Sequence, residues 1–323
     1  MANTYPNLHI RSKNELCKHI ADTGMSVSEV QLLLNDVLVN FDQYWKDSIL
    51  HSKPADGKFV RDAKITPLGQ LLKKVDKHIL SRIDADLPPI VFGGITKSDH
   101  VKAARHLLGG QKKRTLLSLD LKRFYEQITY DRIFKLFHHK FNCDKRTADI
   151  LASICCVPEG RKGNVDNKVL ARGFSTSSRL AVWANLGTFE KLYYVVRKHL
   201  CDHDFRLAIY VDDIGITASR VTKKQMEKLR DELIASLQTY DKNQPLIVNE
   251  KKTKIISYTA KGGIQHLGIQ IERNSLRLGK KTRTKKDKLK HLETITDDIV
   301  KKKQVRKKRK SIYKYESYVK RKV

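Results

Sequence analysis

The segment RLAIYVDDIGITAS, residues 206–219, constrains the fold of this chain more than any other stretch. Apolar residues lie on both sides of two adjacent aspartates, Asp212 and Asp213. Short apolar runs bounded by turn residues are typical of buried β-strands, and aspartate is common in tight turns. The segment therefore predicts an antiparallel hairpin with two carboxylates at its tip. Taken alone, the pair is equally typical of an ordinary turn.

A third carboxylate follows another apolar run, in RTLLSLDLKRFYEQI, where Leu116, Leu117 and Leu119 predict a buried strand that ends at Asp120. Neighbouring strands of one sheet would bring Asp120 close to the hairpin tip. Mg²⁺ is commonly held by one or two carboxylates together with water and substrate phosphates. Two such ions can stabilise the attacking and leaving oxygens of a phosphoryl transfer. The three acids therefore predict a metal-dependent site, although Asp120 alone is also typical of a strand end.

The net charge of the chain points to a polyanionic partner. Lys and Arg number 65 against 35 Asp and Glu, which gives a formal charge of +30. Such an excess attracts nucleic acid. Residues 280–323 contain 19 basic and 5 acidic residues, so this tail alone carries +14. Its run KKKQVRKKRK, residues 301–310, fits a solvated or disordered segment as well as a phosphate contact.

Cysteine spacing and hydropathy narrow the class of protein further. The five cysteines form no CxxC pair and leave an odd one over, which argues against a structural zinc site and a disulfide framework. No apolar run approaches the roughly 18 residues of a membrane span. We therefore expect a cytoplasmic protein with no membrane partner.

Helical and strand patterns alternate along the chain. Helical periodicity covers residues 14–50, the segment after Pro67 and residues 222–239. The strands PLIVN, KIISY and IQHLGIQIE are expected to complete a sheet. This order favours an α+β fold over a doubly wound one.

Five ordered motifs resemble those of the bacterial reverse transcriptases, particularly retron-type and related antiphage-defence enzymes. They are LDLKRFYEQI, RGFSTSSRLAVWANL, YVDD, LIVNEKKTKII and IQHLGIQI, and FGGITKSDHVKAARHLL upstream is also similar to that family. The resemblance runs over residues 61–271 and implies a right-hand polymerase fold. It assigns an N-terminal helical extension to 1–58, fingers to 59–119, palm with finger insertions to 120–264, and primer grip with basic thumb to 265–323.

The resemblance also implies roles for individual residues. Asp120 and Asp212 would be ligands of two Mg²⁺ ions, for which Mn²⁺ is an alternative. Asp213 would support the second ion, and the backbone carbonyl of Leu121 would complete the coordination. Tyr125 lies where the family has an aromatic steric gate against a ribose 2′-hydroxyl, although ordinary core packing is the alternative for this ring.

Further residues are expected to contact the nucleotide or the primer. Arg61 and Lys64 are candidates for the triphosphate, because charge-assisted hydrogen bonds suit phosphate oxygens. Lys252 would contact the leaving pyrophosphate or be an ordinary solvated lysine. Arg172 and Gly173 stand where relatives commonly carry Gln-Gly, and an arginine there could grip a phosphate or stack on a base. The primer-grip turn comprises His266, Leu267 and Gly268.

The implied function is an RNA-directed DNA polymerase. Its partners would be an RNA template, expected to be a structured non-coding RNA, the DNA product, deoxynucleoside triphosphates and an effector protein. Retron enzymes usually show Val-Thr-Gly near the primer grip, where this chain has QHLG, so another defence class stays open. Two alternative functions also stay open: DNA synthesis with little or no templating, and a non-catalytic RNA-binding scaffold.

Overall fold

The computed structural model describes residues 5–110, 114–257 and 263–321, which fold as two compact units. The first unit comprises residues 1–98, 121–192 and 236–247, and the second comprises 99–120, 193–235 and 248–323. Both contain helices and strands, which confirms the α+β class. The division into extension, fingers, palm and thumb stays a prediction.

The helices begin where the sequence provides capping residues. Thr129 accepts a hydrogen bond from the backbone N–H of Arg132, and Ser26 forms a capping box with Glu29. None of the helices within the described ranges is long and apolar enough to cross a membrane. The α-helices are α1 Lys13–Ile20, α2 Val27–Asn40, α3 Pro67–His78, α4 His100–His106, α5 Tyr130–Lys135, α6 Lys145–Cys155, α7 Ser177–Ala184, α8 Leu186–Leu200, α9 Lys223–Thr239, α10 Lys280–Ile295 and α11 Ile299–Lys320.

The basic run at 301–310 is helical, because it lies within α11. Glu293 of α10 compensates part of its charge: the carboxylate lies 2.9 Å from Arg306 and 3.1 Å from Arg309. A disordered segment does not agree with this helix, while a solvated segment and a phosphate contact both stay predictions for the run.

Within the described residues the strands form four small sheets. They are β1 Lys46–Asp47, β2 Arg61–Asp62, β3 Arg114–Asp120, β4 Cys156–Pro158, β5 Lys168–Leu170, β6 Phe205–Tyr210, β7 Asp213–Ser219, β8 Lys254–Ile256, β9 Ile264–His266, β10 Ile269–Ile271 and β11 Leu276–Leu278. In the second unit, β6, β7, β3 and β8 pair in that order, and every pair is antiparallel. The predicted hairpin is therefore the β6–β7 pair, with β3 as its neighbour.

One expectation about the later strands was wrong. PLIVN, residues 245–249, forms no strand, because its backbone groups are bonded elsewhere: Ile247 accepts from the N–H of Lys122 and Asn249 donates to the carbonyl of Asp120. Pro245 also lacks an N–H for a ladder. IQHLGIQIE forms two strands, as expected, and they pair with β11 in a sheet separate from the one that contains the hairpin. Tyr258 of KIISY lies outside the described residues.

A glycine in the central hairpin is required by close packing. A Cβ on Gly215 would lie 2.6 Å from Nε2 of His266 and 2.8 Å from Cδ1 of Leu107. We expect Gly215→Ala to lower the free energy of unfolding by about 1–3 kcal/mol, measured by urea titration, because overpacking forces neighbouring side chains to move. Gly24→Ala is the control, since the atom nearest to a Cβ there, Oδ1 of Asp22, would be 3.6 Å away. Equal losses in both variants would contradict this account.

Candidate active site

The tip of the β6–β7 hairpin has an unusual backbone. Tyr210 pairs with Asp213, which leaves Val211 and Asp212 as a two-residue turn. Val211 has φ of 59°, in the left-handed region that β-branched residues rarely adopt. Two-residue hairpin turns accept such a residue at the first central position, where glycine is the usual choice. Strained residues of this kind cost about 1–3 kcal/mol and cluster at functional sites.

Asp120 and Asp213 lie directly opposite each other on β3 and β7. Directly opposed residues of an antiparallel pair present their side chains on the same face of the sheet. Burial, together with the negative charges of Asp212 and Asp120, raises the pKa of Asp213 to about 7, although Lys252 opposes the shift. The three carboxylates therefore share one electrostatic environment in which a cation would be stabilised.

Lys252 supplies positive charge at this position. Its ammonium lies 3.0 Å from both carboxylate oxygens of Asp120, and this hydrogen bond raises the pKa of Lys252. A short turn holds the lysine there: the N–H of Asn249 donates to the carbonyl of Asp120 at 2.7 Å, and the N–H of Lys252 donates to Asn249 at 3.0 Å. The Lys252 side chain is half exposed, so the ion pair contributes about 1 kcal/mol or less.

The carboxylates fit metal ions that also use substrate oxygens. Within residues 5–110, 114–257 and 263–321, no group of three or more His, Cys, Asp or Glu side chains forms a metal cage by itself. Mg²⁺ usually keeps several waters and takes one or two carboxylates plus phosphates, so an incomplete set of protein ligands suits it. Leu121, the other expected ligand, follows Asp120 directly, and its side chain is buried.

The expected primer-grip residues form the β9–β10 turn. Leu267 and Gly268 both have positive φ, 52° and 74°, which is typical of a type I′ hairpin turn. His266 is buried, with Nδ1 3.3 Å from the hydroxyl of Ser118, and burial lowers its pKa to about 4. The neutral imidazole therefore packs on the central sheet, while Gly268 is exposed at the tip of the turn.

In the first unit, Tyr125, Arg172 and Gly173 lie in one cluster. The Arg172 guanidinium forms two hydrogen bonds to Glu126 and lies over the Tyr125 ring. Gly173 has φ of 104°, and a Cβ there would lie 2.5 Å from the carbonyl oxygen of Arg61. Only glycine suits that position.

Arg61 and Lys64 have different environments, although both are candidates for the triphosphate. Arg61 is 4% exposed, pairs with Asp47, and donates to the carbonyls of Pro158 and Gly160. Its guanidinium is therefore not presented to solvent. Lys64 is exposed. Of these two cations, only Lys64 can reach a ligand without rearrangement of the surrounding loops.

Sequence reasoning missed three residues that hold the expected site residues in place. Glu126 binds Arg172, Ser178 binds the hydroxyl of Tyr125, and Asn249 anchors the turn that carries Lys252. No local pattern identifies these contacts, since each joins residues far apart in the chain. Gly215 did carry a signal, because an isolated glycine within a strand often marks a close approach.

Comparison with known proteins identifies one family model, described as reverse transcriptase (RNA-dependent DNA polymerase), which matches residues 63–304. This match confirms the polymerase fold and the family resemblance that the motifs predict. The Retron Ec86 reverse transcriptase of Escherichia coli is 25% identical over 158 residues, which cover 49% of this chain and 43% of that protein. The chain thus matches less than half the length of this relative.

Two telomerase structures are also similar to the chain. One is telomerase from Candida albicans in complex with a fragment of telomeric RNA, with a TM-score of 0.43, 14% identity, and coverage of 78% of this chain and 47% of that one. The other is apo telomerase from Candida tropicalis, with a TM-score of 0.45, 11% identity, and coverage of 78% and 60%. Similarity at this level does not carry function from one protein to another.

Proposed function

Since the chain belongs to the reverse transcriptase (RNA-dependent DNA polymerase) family, we propose that it extends a primer with deoxynucleotides on an RNA template. The observation that carries this proposal is the pairing of Asp120 with Asp213 beside the turn at Asp212. Carboxylates that repel one another on one face of a sheet suit the divalent ions of phosphoryl transfer.

The roles that we propose are those that the family resemblance implies. Asp120 and Asp212 would hold two Mg²⁺ ions, Asp213 would support the second, and the Leu121 carbonyl would be a further ligand. When bound, the ions stabilise the charge that develops on the attacking and leaving oxygens. Lys252 binds Asp120 in this structure and would contact the leaving pyrophosphate.

The finer identity of the enzyme is also a proposal. Similarity to a retron reverse transcriptase supports a bacterial retron-type or related antiphage-defence enzyme that copies a dedicated non-coding RNA. The ordered basic helices α10 and α11 support RNA binding, since clustered lysines and arginines bind phosphates with release of counterions. An effector protein would be a further partner.

A primer-extension assay tests the proposal. The purified chain is incubated with a primer annealed to RNA, deoxynucleotides and Mg²⁺, and the product is sequenced. We expect complementary DNA and no extension in EDTA. Products that do not depend on template sequence would favour untemplated synthesis. RNA binding without any extension would favour the non-catalytic scaffold.

The contact between Lys252 and Asp120 predicts competition between the lysine and metal. We expect Lys252→Met to bind Mg²⁺ about two- to fivefold more tightly, because a half-exposed ion pair of about 0.5–1 kcal/mol no longer has to be broken. The affinity is measured from the rise in melting temperature as Mg²⁺ is titrated. Lys254→Met on the neighbouring exposed position is the control. Unchanged or weaker affinity in Lys252→Met would contradict the competition.

A further inference from the structure

The aromatic ring of Tyr125 is held on several sides. Its hydroxyl lies 2.9 Å from the hydroxyl of Ser178, at the start of α7. Phe124, which is fully buried, packs edge-on against the ring with centroids 6.0 Å apart. The guanidinium carbon of Arg172 lies 4.6 Å from the ring centroid on its face. A tyrosine fixed at its hydroxyl, edge and face has little freedom to rotate or shift.

Glu126 fixes the arginine that covers this ring. Nε of Arg172 lies 3.1 Å from one carboxylate oxygen of Glu126, and Nη2 lies 2.9 Å from the other. Such a two-point contact sets the plane of the guanidinium as well as its position. The carboxylate is 10% exposed and the arginine side chain 19% exposed, so water competes little for the pair. Glu126 and Arg172 therefore hold each other in a fixed orientation.

The pair also neutralises the charge that an arginine would need for a phosphate contact. A phosphate that bound the Nε–Nη2 edge of Arg172 would have to displace the Glu126 carboxylate, which accepts a hydrogen bond from each of these nitrogens. Stacking on Tyr125 likewise occupies one face of the guanidinium. These contacts join Arg172 to Glu126 along its Nε–Nη2 edge and to Tyr125 on one face.

We propose that Glu126 and Arg172 form a clamp that positions Tyr125 and thereby sets the discrimination between deoxyribonucleotides and ribonucleotides. This inference rests on the proposed polymerase function and on Tyr125 as the sugar-selecting residue. Exclusion of a 2′-hydroxyl by a ring depends on the ring staying in place. Misplacement of a group by about 1 Å can change a rate by about 100-fold. Glu126 and Arg172 are positioning residues in this account.

Selectivity measurements test the clamp. For each variant, kcat/KM is measured for a deoxynucleotide and for its ribonucleotide on the same primer and RNA template. We expect Glu126→Gln to lower the ratio of the two about tenfold, mainly through faster ribonucleotide use, because the neutral amide holds the guanidinium less firmly. Arg172→Gln should lower the ratio in the same direction. The control is Glu159→Gln, which removes the 2.6 Å pair with Arg123 in the same unit.

A double variant separates positioning from direct nucleotide contact. If the clamp acts through the ring, Glu126→Gln has no further effect on the ratio in a Tyr125→Ala background. An equal effect in both backgrounds would overturn the proposal, as would an unchanged ratio in Glu126→Gln with an unchanged melting temperature. If the unaltered protein extends no primer, the polymerase function itself fails. If it extends primers and only the ratio is insensitive, the clamp alone fails.

Discussion

Asp212→Ala is expected to reduce primer extension by at least about a thousandfold, which corresponds to about 4 kcal/mol of lost transition-state stabilisation. The side chain lies in the turn between β6 and β7, next to the residue that pairs with Asp120. Loss of this carboxylate removes a proposed metal ligand that no other side chain of the turn can replace. The measurement is single-nucleotide extension under conditions in which enzyme exceeds primer.

The same substitution should not destabilise the metal-free protein. The charge of Asp212 contributes to the raised pKa of Asp213, so its removal relieves repulsion within the sheet. Thermal unfolding in EDTA should therefore give an unchanged or higher melting temperature. Asp202→Ala, at an exposed loop position, is the control and should retain extension. Loss of extension accompanied by a lower melting temperature would instead indicate misfolding and contradict the ligand role.

The central hairpin could be predicted because its signals are local. Apolar alternation, an Asp-Asp turn and the end of a second strand at Asp120 together place the acids on neighbouring strands, and the observed β7–β3 pairing agrees with that prediction. Thr129 as the N-cap of α5 was predictable for the same reason. In each case neighbouring residues determine the structure.

The conformation could not be predicted where distant residues decide it. PLIVN has the composition of a strand, yet the carbonyl of Asp120 and the amide of Lys122 take its hydrogen bonds. Arg61 is a candidate for the triphosphate because of its charge, and no local pattern predicts that Asp47 and two backbone carbonyls bind its guanidinium. The Arg172 partner, Glu126, is 46 residues away, so composition alone left open a contact with nucleic acid. All three environments depend on tertiary contacts that local propensity does not predict.

Asp213→Asn is expected to stabilise the metal-free protein by about 2–4 kcal/mol at pH 8. Burial and the neighbouring carboxylates raise the pKa of Asp213 from 3.8 to about 7. A carboxyl with a raised pKa binds its proton more tightly in the folded state than in the unfolded state. The resulting loss of folding stability is absent below the ordinary pKa of aspartate and complete above about pH 7. The gain should therefore shrink to about 1 kcal/mol at pH 4.5. Urea unfolding in EDTA at both pH values measures it.

Protonation of His266 changes the free energy of unfolding over the same pH range as that of Asp213, but in the opposite direction. The effect of Asp213→Asn is therefore taken as a difference from the unaltered protein. Burial lowers the pKa of His266 to about 4, so the folded state loses stability as the pH falls below the ordinary value of histidine. That loss is common to both proteins and cancels in their difference. Asp202→Asn is the control for removal of an exposed charge. A gain in Asp213→Asn that is equal at pH 8 and pH 4.5 would show that burial of charge is not its cause.

Mg²⁺ should reverse the advantage of Asp213→Asn. An ion that binds only the folded state stabilises it in proportion to its affinity, and a carboxylate must lose its proton to take part. The unaltered protein should therefore gain more stability from Mg²⁺ at pH 8 than at pH 6, whereas Asp213→Asn should gain less at pH 8 and show little pH dependence. Equal gains in stability from Mg²⁺ in the two proteins would show that Asp213 does not contribute to metal binding. Asp120 and Asp212 would then be the acids to test. Repulsion between the three carboxylates lowers the stability of the metal-free protein, and the same concentration of negative charge favours binding of a divalent cation.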